Sequence, residues 1–337
     1  MISFRIHCTL LSISNAKYGK RHALHELRLI NFDLFPYSPH NNWLYLETIQ
    51  LLFFQAKENI MNRRDFFKGI LLSSSLSLAG PVHAARSKDS ERPKVIDAHC
   101  HAGKGINYAK NDPTSDPWTT YNDPKWTLSR AEEAGIAQTI IFPINNTTYQ
   151  KANEEIASYV RRWPDKFIGF AKHDSETEAG KIRDLLRREV RELGLRGLKL
   201  HGIPTKEMAE SAAELKIPIL FHPPNVSNSL EVVQSYPEVS FILAHLGSFA
   251  SRSWTEHVRA IEASKRLANL YLDTSSVVFF MYLERAAREL PPEKLIFGSD
   301  GPLVDSRVEL YKIRLLRLPK LKEQMILGGN ISRLLSR

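Results

Sequence analysis

Apolar, strand-like segments alternate with amphipathic helical segments from Lys94 to the C-terminus, and this alternation constrains the fold more than any other feature. Eight strands are predicted: Lys94–His99, Gln138–Ile144, Phe167–His173, Leu195–His201, Ile217–His222, Ser240–His245, Leu270–Thr274 and Lys294–Asp300. Helices predicted between them include Tyr149–Arg162, Gly180–Leu193, Lys206–Leu215, Leu230–Tyr236, Trp254–Leu267 and Met281–Leu290. Eight strands alternating with helices over about 245 residues predict an α/β fold, the (β/α)8 TIM barrel.

A doubly wound open sheet is the alternative fold with the same alternation of strands and helices. Such a sheet usually carries a glycine-rich phosphate loop directly after its first strand. Gly103-Lys104-Gly105 follows the first predicted strand here and matches that loop poorly. The barrel is therefore favoured, and catalytic side chains in a barrel lie at the C-terminal ends of the strands.

Histidines are concentrated at those strand ends. Seven histidines follow Ala84, and only His257 lies within a helical segment. The others fall at or just after the ends of predicted strands: His99, His101, His173, His201, His222 and His245. The eighth strand ends in a carboxylate, Asp300. This placement predicts a barrel mouth lined by imidazoles and a carboxylate.

The first strand indicates what these groups do. Strand side chains alternate with a period of two, so Asp97, His99 and His101 are expected on one face. Two imidazoles on one face, joined by the carboxylate of Asp300, suit a divalent cation: Zn²⁺ first, with manganese, cobalt or iron as alternatives. Such an ion makes a water molecule acidic near neutral pH, and Asp300 is the natural general base for its proton.

A targeting signal precedes the predicted barrel. A charged segment that includes Arg63 and Arg64 is followed by a short apolar run and by small residues that end at Ala84. This order is typical of a secretory signal, and the paired arginines indicate the twin-arginine route. The apolar run is too short for a stable membrane anchor. We therefore expect a twin-arginine signal peptide over 61–84, recognition by the twin-arginine export machinery, and a periplasmic or secreted protein.

The domain organisation follows from the position of this signal. Residues 1–60 lack a sustained strand or helix period, so we interpret them as an over-extended N-terminus with Met61 as the true initiator. A genuine long leader is the alternative. Residues 85–93 form a polar linker, and 94–337 form the barrel.

Charge and cysteine content exclude some classes of protein. The formal net charge is +9, but the chain has no long run of Lys or Arg interleaved with aromatic residues. We therefore expect a small-molecule substrate and no nucleic-acid partner. Cys100 is the sole cysteine after the predicted signal, so no intrachain disulfide is expected there. The oligomeric state is left open.

Six motifs occur in a shared order along the chain: DAHCH at 97–101, RGLKLHG at 196–202, ILFHPP at 219–224, ILAHLG at 242–247, FGSDGP at 297–302 and ILGGNISRLL at 326–335. Together they resemble the amidohydrolase superfamily, in particular its amidohydrolase-2 branch of metal-dependent hydrolases and decarboxylases. The resemblance implies that His99, His101, His222 and Asp300 bind a metal. It gives His245 a place either as a ligand of a second metal or as a catalytic group on the substrate.

Lys199 decides between one ion and two. Binuclear members of the superfamily carry a carboxylated lysine at the end of the fourth strand, where Lys199 lies with the same parity as His201. Many members of the branch instead hold one ion beside an ordinary lysine. One ion is favoured; with two, Lys199 and His245 would both be ligands.

Residues at the rim of the barrel are candidates for substrate binding. The imidazoles of His173 and His201, the amine of Lys199 and the amide of Asn145 are the polar candidates. Aromatic residues expected on loops above the mouth are Trp118, Tyr121 and Trp126.

The leading functional hypothesis is hydrolysis of an amide, ester or lactone by metal-activated water, with Asp300 as base and His245 stabilising developing charge. Non-oxidative decarboxylation of an aromatic or unsaturated acid on the same scaffold is the first alternative. A catalytically inactive exported binding protein is the second. The sequence does not specify the substrate, because specificity in such barrels lies in the loops.

Overall fold

The computed structural model describes residues 94–110, 114, 116 and 119–336. The predicted N-terminal extension, signal peptide and linker lie outside the described residues, as does Trp118. Within the part described, no helix has both the length and the apolar character needed to cross a bilayer.

Strands occur at every predicted position. They are β1 (Ile96–Lys104), β2 (Tyr121–Asn122), β3 (Gln138–Pro143), β4 (Phe167–Gly169), β5 (Ala171–Lys172), β6 (Leu198–His201), β7 (Ile219–His222), β8 (Phe241–Leu243), β9 (Leu270–Asp273) and β10 (Leu295–Ile296). Only β2 was not predicted, and it pairs antiparallel with the end of β1. Phe170 alone separates β4 from β5, and its N–H donates to Ile141 of β3 at 3.0 Å. These two short strands therefore occupy one position, which leaves eight parallel positions.

The parallel strands form two ladders that meet at both edges. One sheet has the order β2-β1-β3-β4 and the other β10-β9-β8-β7-β6-β5. At one junction the Ala98 N–H donates to the Phe297 carbonyl at 2.9 Å, and Cys100 bridges to Gly301. At the other, the Arg196 N–H donates to the Gly169 carbonyl at 2.8 Å. The predicted (β/α)8 arrangement is confirmed. The strands form two hydrogen-bonded sheets rather than one continuous closed sheet.

A helix follows each of the eight strand positions, and two more helices close the chain. They are α1 (Pro124–Ala134), α2 (Gln150–Arg162), α3 (Ile182–Arg191), α4 (Lys206–Leu215), α5 (Leu230–Ser235), α6 (Trp254–Arg266), α7 (Phe280–Glu289), α8 (Ser306–Leu315), α9 (Lys320–Gln324) and α10 (Asn330–Leu335). A π-helical turn, Met325–Gly329, joins the last two.

The first helix corrects one prediction. Trp126, expected on a loop, lies in α1, where its side chain is exposed. The sequence carries clear signals for this helix: the Asp123 side chain accepts the Lys125 N–H, Pro124 occupies the first turn, and Gly135 ends the helix with φ +73°. A capping carboxylate, an early proline and a left-handed glycine are the usual boundaries of a helix.

Alternating strand residues divide the core into two layers. Ile140, Leu220, Ile242 and Tyr271 belong to the cluster inside the barrel, which is closed below by residues of α10. Their strand neighbours pack outward against the helices. The inward parity continues to the strand ends, so that polar residues there converge above an apolar floor.

A bulge in β1 changes the predicted side-chain directions. The register with β3 shifts between Asp97 and Cys100, so the period-two alternation is interrupted there. His101 lines the pocket at the barrel mouth, whereas Asp97 lines a small cavity under α1 beside Cys100. The prediction that Asp97 shares a face with His99 and His101 was therefore wrong.

Candidate active site

A pocket of about 420 Å³ opens at the C-terminal ends of the strands. Its walls are His101, Asn145, His201, Gly202, His222, Pro223, Pro224, His245, Phe249, Asp300 and Leu303. The structure thus brings together most of the polar residues that the sequence placed at strand ends. The mixture of apolar walls and a few convergent polar groups is typical of a small-molecule site.

His99 is held at the base of this site by groups on both ring nitrogens. Its Nδ1–H donates to the carboxylate of Asp273, the last residue of β9. Its Nε2 lies 3.4 Å from Asp300 Oδ1 and 3.4 Å from Lys199 Nζ. Burial, reinforced by the charge of Lys199, holds the pKa of His99 well below its usual range. His99 is therefore a neutral imidazole whose Nε2 atom faces Asp300 and Lys199.

The Nε2 atom of His101 faces the same carboxylate. The His101 Nδ1–H donates to the Pro143 carbonyl at 3.2 Å, and its Nε2 lies 3.7 Å from Asp300 Oδ1. Burial and the charge of Lys172 hold the pKa of His101 well below its usual range. Asp300 Oδ2 accepts a hydrogen bond from the Ser276 hydroxyl at 2.8 Å.

These three side chains fit a divalent cation. The ligand atoms of His99, His101 and Asp300 lie within 4.8 Å of one another, and all three residues are buried. Burial raises the pKa of Asp300 to about 7, against the opposing effects of the Ser276 hydrogen bond and the charge of Lys199. Two neutral imidazoles and a buried carboxylate form a donor set for zinc or a similar metal, and the charge of a cation would offset the desolvation of Asp300.

A second compact group shares His99 with the first. It consists of His99, His245 and Asp273, whose ligand atoms also lie within 4.8 Å of one another. His245 Nδ1 lies 2.9 Å from the Ser275 hydroxyl, and the His245 backbone has φ +57°. Because Asp273 engages His99 Nδ1, His99 Nε2 is the ring nitrogen that faces the first group.

His222 lines the pocket between His245 and His201 in ring contacts. Its ring centre is 4.6 Å from that of His245 and 5.8 Å from that of His201. Burial, followed by the charge of Lys199, lowers the pKa of His222 to about 4. His222 therefore lines the predicted site as a neutral imidazole, although it is not part of either compact group.

Two buried lysines contact residues of the site. Burial lowers the pKa of Lys199 to about 8, against the opposing charges of Asp300 and Asp273. Lys172, which the sequence analysis did not single out, is 1% exposed and donates from Nζ to Asn145 Oδ1 at 3.0 Å. Burial, followed by the charge of Lys199, holds the pKa of Lys172 well below its usual range. The Asn145 oxygen is thus engaged, and its amide nitrogen is the donor left for the pocket.

His201 is found at the pocket wall, as predicted for a substrate contact. Its ring centre lies 5.6 Å from that of His101. Desolvation within the pocket and the charges of Lys172 and Lys199 lower the pKa of His201, although part of its side chain remains exposed to solvent. His201 thus offers an accessible imidazole beside the metal-binding group.

His173 is not brought to the pocket. Its Nδ1–H donates to Glu178 Oε2 at 3.0 Å and its Nε2–H to Glu189 Oε2 at 2.8 Å. Both ring nitrogens are therefore engaged in a buried ionic cluster behind β5. The prediction that His173 contacts substrate is corrected accordingly, because the strand-end position alone does not fix the direction of the side chain.

Sequence reasoning missed Asp273, Ser275 and Ser276, which follow one another closely at the end of β9. The signal for Asp273 was present, since it ends an apolar strand as the predicted ligands do. The serines carried no comparable signal. Ser275 Oγ lies 3.3 Å from His99 Nδ1, and Ser276 contacts Asp300.

Solved structures share this fold. 5-Carboxyvanillate decarboxylase from Sphingomonas paucimobilis matches with a TM-score of 0.59 at 15% identity, over 72% of this chain and 99% of that chain. A dihydroxybenzoic acid decarboxylase from Polaromonas sp. JS666, with bound manganese and the inhibitor 2-nitroresorcinol, matches with a TM-score of 0.55 at 17% identity, over 72% and 97% of the respective chains. A protein from Acinetobacter baumannii, described as a probable 2-pyrone-4,6-dicarboxylic acid hydrolase with citric acid bound, matches with a TM-score of 0.55 at 16% identity, over 72% and 100%.

Sequence comparison identifies the family. No curated protein matches the chain at a significant level. The family model of the amidohydrolases of the Amidohydro_2 type matches residues 96–337, which includes every strand of the barrel and every residue of the pocket. The chain therefore belongs to the amidohydrolase-2 family and is an enzyme of the amidohydrolase superfamily, whose members use a divalent metal.

Proposed function

We propose that this enzyme hydrolyses an amide, ester or lactone bond of a small molecule with the help of one divalent metal ion. The observation that carries the proposal is the compact group of His99, His101 and Asp300 at the pocket. Family membership makes the chain an enzyme, so the hypothesis of an inactive binding protein is not pursued.

His99, His101 and Asp300 would hold the ion, with His222 as the further ligand implied by the family resemblance. We propose Zn²⁺, since imidazole and carboxylate donors suit it. When bound, the ion would polarise the scissile carbonyl and lower the pKa of water near neutral pH. One ion is favoured because Asp273 engages the second nitrogen of His99. Lys199 then remains an amine rather than a carboxylated bridge.

The chain's own residues divide the remaining work. Asp300 accepts the proton of the attacking water and returns it to the leaving group. His245, which lines the pocket with its ring next to that of His99, stabilises the charge that develops on the substrate. His201 and the amide nitrogen of Asn145 bind the polar parts of the substrate, while Phe249 and Leu303 enclose its apolar part. Lys199, predicted from the sequence as a further contact, is fully buried and does not line the pocket.

The role of Asp300 is tested by turnover of a panel of amides, esters and lactones. Asp300→Asn keeps the size of the side chain but removes its basicity, so kcat should fall by about 10²-fold or more. Asp184→Asn, on the exposed face of α3, is the matched control and should leave kcat unchanged. Activity of Asp300→Asn near that of the unmodified enzyme would remove Asp300 from this role.

Non-oxidative decarboxylation is the second candidate, and the buried amine of Lys199 favours it. Burial lowers the pKa of Lys199 only to about 8, so near neutral pH it is a cation beside His99 that would attract a substrate carboxylate. In that reaction Asp300 or His245 transfers a proton to carbon as carbon dioxide leaves. Carbon dioxide release from aromatic or unsaturated acids, measured beside the hydrolase panel, separates the two reactions. Release without any hydrolysis would replace the leading proposal.

We also propose that the enzyme is exported by the twin-arginine route and cleaved after Ala84. The motif Arg63-Arg64 and the short apolar run after it support this proposal. N-terminal sequencing of the protein recovered from the periplasm or medium tests it. A mature chain beginning at Ala85 is expected, and retention of residues before Met61 would contradict both the cleavage site and the proposed initiator.

A further inference from the structure

The Ser276 side chain donates a hydrogen bond to Asp300 Oδ2, the carboxylate oxygen other than the one near His99 and His101. The hydroxyl lies 2.8 Å from that oxygen, and the residue is 4% exposed. Asp300 Oδ1 is thereby left toward the Nε2 atoms of His99 and His101, at 3.4 Å and 3.7 Å. The two oxygens of one carboxylate thus have different surroundings.

We propose that Ser276, fixed in place by Glu309 and Lys312 of α8, is a positioning residue that sets the rotation of the Asp300 carboxylate. This inference deepens the proposed function and rests on it, because it takes Asp300 as a metal ligand. The last side-chain torsion of an aspartate has a broad distribution of angles, so neither the backbone nor packing alone fixes the plane of the carboxylate relative to the histidines. A donor on one oxygen removes that freedom.

The loop that carries Ser276 is strained and is clamped from α8. Ser276 has φ +54°, a left-handed conformation that a serine adopts only when its surroundings hold it there. The Ser276 backbone N–H faces the buried carboxylate of Glu309 and lowers its pKa against the larger, opposite effect of burial. Lys312 Nζ lies 2.6 Å from Glu309 Oε2 and donates to the Val277 carbonyl at 2.9 Å. The two α8 side chains thus hold the backbone on both sides of the Ser276 side chain.

The α8 residues that hold the Ser276 loop are close to Asp300 in sequence. Helix α8 begins at Ser306, a short loop after Asp300, so the segment that follows Asp300 also holds the loop that orients it. Asp300 itself has φ +61°. Strained backbone on both sides of one hydrogen bond is typical of functional sites rather than of ordinary loops.

Ser264 provides a matched comparison with an ordinary buried serine. It is fully buried and donates one hydrogen bond to the Leu270 carbonyl at 2.9 Å, at the opposite end of β9. Ser276→Ala and Ser264→Ala therefore remove the same atom and one hydrogen bond each. A purely structural role predicts similar behaviour for both variants.

The test measures Zn²⁺ affinity of the metal-free full-length protein by competition with a chelator. Ser276→Ala should weaken Zn²⁺ binding by about 10- to 100-fold, the range found when a group that orients a metal ligand is removed. Ser264→Ala should bind Zn²⁺ as tightly as the unmodified protein, although both variants lower the unfolding temperature of the metal-free protein. The visible spectrum of the Co²⁺-loaded protein should change for Ser276→Ala alone.

A second pair of variants tests the clamp without touching Ser276. Glu309→Gln retains an acceptor for the Ser276 N–H but loses the ion pair with Lys312, so it should weaken Zn²⁺ binding less than Glu309→Leu, which removes both and acts in the same direction as Ser276→Ala. Equal affinities for Ser276→Ala and the unmodified protein would overturn the inference, provided that Asp300→Asn weakens binding. Failure of the unmodified protein to bind Zn²⁺, Mn²⁺ or Co²⁺ would instead overturn the proposed function, and the inference with it.

Discussion

At the scale of single residues, the site depends on buried polar side chains, each oriented by a hydrogen bond or ion pair with a neighbouring side chain. His99 is the clearest case, since Asp273 takes its Nδ1–H and leaves Nε2 to face Asp300. A carboxylate in this position fixes the tautomer and the direction of a metal-binding imidazole. The pair thus determines which nitrogen of His99 is available to a ligand.

Replacing Asp273 should therefore disturb metal binding although Asp273 lies behind His99. Asp273→Asn keeps the shape of the side chain but allows the imidazole to change tautomer, so metal affinity should fall by about 10- to 100-fold. Chelator competition measures the change, with Asp184→Asn as the exposed control. Unchanged affinity would show that Asp273 does not orient His99.

His173 is hydrogen-bonded to two buried carboxylates, those of Glu178 and Glu189. These interactions should affect stability rather than catalysis. Burial lowers the pKa of His173, but hydrogen bonds and charge from Glu178 and Glu189 outweigh it and raise the pKa to about 9. The stabilisation is complete below the unfolded pKa, 6.5, and is lost as the pH rises through about 9.

His173→Gln should accordingly lower the free energy of unfolding by on the order of 3 kcal/mol near pH 6. The difference from the unmodified protein should shrink as the pH approaches 9 and beyond. Urea unfolding of the metal-free proteins between pH 6 and about 9.5 measures it. A difference that is independent of pH would show that the ionic pairing is not the source of the stability.

At the scale of elements, the strand ends explain why part of the site was predictable. His222, His245 and Asp300 follow strands whose apolar residues alternate regularly, so their convergence could be read from the sequence. The direction of Asp97 could not, because a bulge in β1 shifts the alternation without any sequence signal. His173 failed for a related reason: acidic partners 5 and 16 residues downstream draw its side chain out of the mouth.

The π-helical turn Met325–Gly329 packs against the start of the first strand, and this contact can be tested. A Cβ on Gly328 would lie 2.1 Å from the Lys94 carbonyl oxygen, in backbone that cannot move aside. At the adjacent Gly329 the nearest atom would be 3.4 Å away. The two glycines are therefore a matched pair for testing how the C-terminal turn packs on the first strand.

Gly328→Ala should destabilise the protein by about 2 kcal/mol or more, because the overlap forces the π-helical turn away from β1. Gly329→Ala should be neutral or stabilising by up to about 1 kcal/mol, since alanine restricts the unfolded chain more than glycine does. Denaturant midpoints at fixed metal content compare the two. Equal effects would mean that the turn is not seated against Lys94.

At the scale of the whole molecule, one barrel mouth collects groups from distant parts of the chain. His99 and Lys199 are separated by 100 residues, yet their side-chain nitrogens lie 3.4 Å apart. The fold and the family were accessible from the order of motifs, whereas the contacts among buried polar groups depend on loop conformations such as that of Ser276. The specificity of the enzyme belongs to the same loops, which is why the substrate does not follow from the fold.

The central claim is that this mouth holds a metal ion, and elemental analysis of the protein purified without chelators tests it most directly. We expect about one divalent ion per chain, lost from a His99→Ala/His101→Ala variant. About two ions per chain would make Lys199 and His245 ligands and contradict the single-ion site. No metal in the purified protein, with none regained from Zn²⁺, Mn²⁺ or Co²⁺, would contradict the account as a whole.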